Sequence, residues 1–92
     1  MAGNINRNPW EMKEYAKKLD TSVELIRDEL TNNHKKILLY SEKMDSNCKK
    51  AVRQFEEQMT ILQKQLSKYE ELSEMMRKNA NAMIDVYENS GI

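Results

Sequence analysis

The chain is 92 residues long, 33% of them charged, with two glycines and one proline. That length allows one small domain, and the scarcity of turn-formers excludes an all-β fold in favour of an all-α one. Fifteen basic residues balance fifteen acidic ones, so no basic excess tracks a phosphate backbone and no nucleic-acid partner is expected.

The longest apolar run, Ile37-Leu38-Leu39-Tyr40, is too short to span a bilayer or to form the apolar stretch of a secretory signal. A soluble chain without membrane insertion or signal peptide is expected. Cys48 is the only cysteine, which rules out an intrachain disulfide.

Residues 1–7 precede any periodic pattern and are expected to be flexible, ahead of a single helical domain over 8–90. A helix start is written at "NPWE": Asn8 suits the N-cap, Pro9 the first helical position, and Glu11 the acid of a capping box. From there Met12, Ala16, Leu19, Val23, Ile26, Leu30, Asn33, Ile37, Tyr40 and Met44 alternate four-three spacing, which predicts helix 1 over about 9–44. The same alternation runs through Cys48, Val52, Phe55, Met59, Leu62, Leu66, Tyr69, Ser73, Met76, Ala80, Met83 and Tyr87, which predicts helix 2 over about 49–88. Sustained patterning of this kind belongs to long packed helices.

The two runs differ in phase by one residue, so a straight rod needs a discontinuity between them. "DSN" at Asp45–Asn47 supplies three residues that compete with helical hydrogen bonds, and Ser46 or Asn47 can cap the second helix. A turn over about 45–48 therefore predicts an antiparallel two-helix hairpin. Folding back also pairs Met44 with Val52, Tyr40 with Phe55 and Met12 with Met83 at a nearly constant sum of residue numbers.

Each arm spans about 37 residues, or about 55 Å, and two such helices share only a thin core. Apolar residues are left over: Ile61, Leu72, Met75, Ala82 and Val86 on the second arm, and Leu25, Leu38 and Leu39 on the first. Either they widen the intramolecular seam, or they meet a second helical pair in a four-helix bundle formed with a partner or with another copy. In the second case Leu38, Leu39, Ile61, Leu72, Met75, Ala82 and Val86 are the partner interface. Asn33 and Ser73, the two polar residues in the stripe, are the candidates for setting register; Asn33 either fixes it, as a buried Asn does in coiled coils, or faces solvent where the seam widens.

Catalytic chemistry has little to build on. His34 is the only histidine and no Cys/His pair has metal-ligand spacing, so no enzyme, cofactor or metal is expected. Cys48, followed by Lys49 and Lys50, reads either as a thiol activated by those cations or as a small apolar residue opening the second seam. Glu56-Glu57 and Glu70-Glu71 read as a solvated face.

Around the turn, "NCKKAVRQF" places Ala51 and Phe55 on the Ala and Phe of the pattern W-x-G-x-A-x-x-x-F. With the chain length and the midpoint turn, this resembles the Trp-x-Gly (Esx-like) superfamily of small type VII secretion proteins. Asn47 and Lys49 stand where that pattern has Trp and Gly, so the chain looks like a divergent member. Some Gram-positive bacteria encode small helical partners of this kind beside LXG-domain toxins. The resemblance implies a non-enzymatic partner that binds the toxin's helical domain, or another small Esx-like protein, and helps its export. Ile84, Tyr87 and Glu88 then belong to the export-signal region. It implies residence in the cytoplasm before export by a leaderless route. Two alternatives stay open: a homodimeric secreted effector of the same superfamily, and a needle-type subunit or chaperone of another export apparatus.

Overall fold

A computed structural model describes residues 8–89; the expectation for residues 1–7 lies outside them. The fold is an all-α antiparallel hairpin of two helices, α1 (Pro9–Leu39) and α2 (Ser46–Asn89). It is long and narrow, 69 × 25 × 17 Å between Cα extremes.

Local chemistry sets where each helix starts and stops. At the start of α1 the Asn8 side chain accepts hydrogen bonds from the backbone N–H of Trp10 (2.9 Å) and Glu11 (3.2 Å). Two of the donors that a helix start leaves unpaired are thereby satisfied, and Pro9, at the first helical position, has no N–H to satisfy. α1 ends at Leu39, five residues before the position that the apolar spacing suggests. Tyr40 leaves helical geometry, and Ser41–Lys43 tighten into a single 3-10 turn closed by Lys43 N–H to Tyr40 O (3.0 Å). Met44 then turns extended, with φ −84° and ψ 141°.

α2 starts at Ser46, earlier than expected, and its cap is Asp45, not Ser46 or Asn47. The Asp45 carboxylate accepts from the Cys48 N–H at 2.7 Å. A carboxylate at this place satisfies an orphan donor and opposes the positive end of the helix dipole.

The arms meet along one central row on each helix, written in steps of seven. On α1 it holds Ala16, Val23, Leu30, Ile37 and Met44; on α2 it holds Val52, Met59, Leu66, Ser73 and Ala80. The buried apolar side chains are Ala16, Val23, Leu66, Ala80 and Ile84, beside a fully buried Ser73 and Pro9. Small side chains at Ala16, Ser73 and Ala80 let the two backbones approach closely toward the open end. Ile26, Tyr40, Tyr69 and Tyr87, expected in the seam, are instead 41% to 64% exposed, and Cys48 is exposed. A single neighbouring helix covers the central row and only part of each flank, so a two-row stripe is left half open.

The close approach predicts a cost for added volume. Ala80→Leu should destabilise the hairpin by about 1–3 kcal/mol through overpacking, read as a lower denaturant midpoint.

Candidate functional site

The two flanks of the seam differ in chemistry. One flank is formed by Asp20, Arg27, His34 and Ser41 on α1, and by Glu56, Gln63, Glu70 and Arg77 on α2; each set repeats every seven residues. All of these side chains except Ser41 close the hairpin with polar rungs. Near the open end, the Ser73 hydroxyl donates to Asp20 Oδ1 at 2.6 Å, with the Ala16 carbonyl oxygen 3.3 Å away. Arg77 donates to the Ser73 oxygen at 2.7 Å and pairs with the Asp20 carboxylate.

Arg27 holds the middle of the ladder. Its guanidinium donates to Glu70 (2.9 Å), to Ser67 Oγ (3.1 Å) and to the Gln63 side chain. Nearer the turn, His34 Nε2 lies 2.7 Å from Glu56 Oε2. Glu56 and Glu70, expected in a solvated face, are half-buried and bonded to α1. A row spaced by seven residues falls slightly behind the turn of an ideal helix, so flanking positions drift across the face that meets the other arm.

Hydrogen bonding from Ser73, and then from Arg77 with its charge, holds the Asp20 carboxyl below its usual range, against the opposing effect of burial. The cluster is satisfied and roughly a third open to water, which places its role in register and orientation more than in raw stability.

The other flank is apolar and open. It carries Met12, Leu19, Ile26, Asn33 and Tyr40 on α1 against Phe55, Leu62, Tyr69, Met76 and Met83 on α2. Beyond it, on the same side of α2, come Gln58, Gln65, Leu72, Asn79 and Val86, then Ile61, Met75 and Ala82. A groove of about 240 Å³ runs here between Leu30, Phe55, Met59, Ile61 and Leu62, edged by Gln58 and Gln65. Two rows on the remaining side of α2, one from Lys50 to Asp85 and one from Arg53 to Glu88 in steps of seven, hold only polar and charged residues. The hairpin is therefore two-faced.

All seven residues expected at a partner interface are exposed, Leu39 at 80%, Val86 at 69% and Met75 at 67%. They do not form one patch. Leu72 and Val86 border the open flank, with Ile61, Met75 and Ala82 behind them. Leu38 instead lines a groove with Met44, Val52 and Glu56 on the polar side of the turn, and Leu39 points away from α2.

Of the two residues assigned to register, Ser73 lies wholly buried between the arms and Asn33 faces solvent. Within the hairpin Asn33 sets no register, because His34, one residue on, takes the place that faces α2.

In the turn motif, Asn47, Lys49 and Ala51 are exposed on the first turns of α2, while Phe55 is half-buried with its ring 6.3 Å from that of His34. In the expected export region Ile84 is buried, Glu88 is exposed, and the Tyr87 ring lies tilted beside that of Trp10, with centroids 5.8 Å apart. Sequence reasoning passed over Asp20, Arg27, Gln63, Ser67 and Arg77. For all but Ser67 the signal was legible as two heptad-spaced polar rows whose charges match when the arms run antiparallel.

Among the described residues no helix is long and apolar enough to cross a membrane, and no group of three or more His, Cys, Asp or Glu is placed to hold a metal ion.

Removing the Arg27 head with Arg27→Met should cost about 1–3 kcal/mol, because Glu70 and Gln63 lose a charged donor; chemical denaturation measures it. Asp20 binds its proton less tightly in the folded chain than in the unfolded one. Its contribution is complete above the unfolded value, 3.8, and is lost as the pH falls below that through the lowered folded value. Urea midpoints at pH 6 and pH 3 should therefore differ less in Asp20→Asn than in the unaltered chain. Compared with protein-family models, curated proteins and solved structures, the chain finds no match in any of the three.

Proposed function

We propose that this chain is a non-enzymatic helical partner of a type VII secretion substrate of the LXG-toxin kind, which it binds by helix–helix packing and accompanies to the export machinery. The observation that carries this reading is the two-faced hairpin. One flank is closed by polar rungs, while the other offers apolar side chains along the length of both arms.

A second helical pair laid on the open flank would complete a four-helix bundle, covering Leu62, Tyr69, Met76 and Met83 along with Leu72 and Val86. Ile61, Met75 and Ala82 would border that contact. The role needs no reacting group, and the resemblance around Ala51 and Phe55 supplies the secretion context. Tyr87 and Glu88, at the end of α2, would contribute to an export signal shared with the partner. A homodimeric effector would use the same face, and solution measurements separate the two.

Co-expression with the helical N-terminal domain of an LXG protein encoded beside this gene should yield a stable complex. Leu72→Lys with Val86→Lys should weaken it at least tenfold, while the helical content and melting of the isolated chain stay unchanged. A chain that purifies as a self-sufficient dimer and ignores that domain would overturn the proposal.

A further inference from the structure

The reversal between the arms rests on very little. Residues 40–46 include no glycine and no proline, and Ser41–Lys43 already wind in the helical hand as a 3-10 turn. Tyr40 departs from helix by a modest amount, with φ −100° and ψ 4°; the wide departure is Met44, whose ψ of 141° turns the chain beside the Asp45 cap.

The phase shift that separates the two stripes has a second reading. A seven-residue repeat falls behind an ideal straight helix by ~20° per heptad. Five heptads accumulate ~100°, and ~100° is one residue of helix. The one-residue shift therefore cancels that drift between Leu30 and Leu66, which an unbroken helix would bring to the same side after ~10 turns. The central rows of both arms then face one direction along a single rod.

We infer that two copies of this chain exchange arms. The bend at Met44 straightens, residues 40–45 join α1 and α2 into one helix, and α1 of each copy packs on α2 of the other. No seam bond is lost in the exchange. Asp20 with Arg77, Arg27 with Glu70 and His34 with Glu56 re-form between chains, and each hinge gains helical hydrogen bonds in place of the turn. Midway between facing residues such as Asp20 and Ser73, or Arg27 and Ser67, lies residue 46 or 47. The two hinges therefore meet at the dyad, with Cys48 beside its own copy. Exchange of an identical element through a short hinge is a low-cost route to dimers.

The test uses the isolated chain and does not depend on any secretion partner. Small-angle scattering over a concentration series should reveal a dimer about 120 Å long, the length of one helix over residues 9–89. A short bismaleimide should link its copies through Cys48. Ser46→Pro is compatible with the hairpin, where it occupies the first helical position, but not with a helix running through the hinge. It should leave the 69 Å monomer and cut the cross-link at least tenfold, whereas Asp45→Ala, which removes the cap, should raise the dimer fraction. A compact dimer indifferent to Ser46→Pro would overturn the inference. So would a chain that stays monomeric at millimolar concentration even as Asp45→Ala.

Discussion

The rotation of α1 about its own axis is set by the bonds that Asp20 and Arg27 make to α2, and it determines which side chains the hairpin offers to solvent. Apolar burial alone does not choose between the two flanks of α1, since Ile26 and Tyr40 are as hydrophobic as a seam requires. Arg27 decides the matter. Its guanidinium finds a carboxylate, a hydroxyl and an amide on α2. Turning α1 to satisfy Arg27 brings His34 inward and moves Ile26, Asn33 and Tyr40 outward. Polar directionality thereby overrides the non-directional preference of the apolar row.

This choice leaves a thin core. Ala16 and Ala80 contribute little apolar area, and Ser73 contributes a hydroxyl that must be satisfied, which Asp20, Ala16 and Arg77 achieve. Close backbone approach compensates in part through dispersion contacts. The larger side chains, Phe55, Leu62, Tyr69, Met76 and Met83, lie on the flank where one neighbour cannot cover them. Ordered arms with a half-open apolar stripe are what a helical partner would exploit, because little conformational entropy remains to be lost on docking.

Much of the fold was legible in the residues, and the reasons are local. Asn8, Pro9 and the four-three spacing from Met12 to Met44 mark a helix because capping and amphipathic periodicity act over one or two turns. The reversal near Asp45 was legible from the change of phase. The end of α1 was not, since Tyr40 to Lys43 are all acceptable helix formers and only the geometry of closing the hairpin ends the helix at Leu39. The seam was half legible. Apolar rows declare themselves, but Arg27 and Asp20 look like ordinary surface charges until the opposite arm places Glu70 and Arg77 against them. The open flank was legible as surplus hydrophobicity, though its division between two sides of the turn, with Leu38 on one and Leu72 on the other, depends on that same rotation.

Trp10 is the chain's one indole, and it lies against Tyr87 at the end of the hairpin farthest from the turn. Its ring is half exposed and lies beside that of Tyr87, while its backbone N–H is held by the Asn8 cap. The chain therefore carries an optical probe placed where α1 begins and α2 finishes, not at its middle. Indole emission tracks the fraying of that end, while circular dichroism tracks the helices as a whole. A gap between the two signals on heating would measure how far the open end comes apart before the arms part.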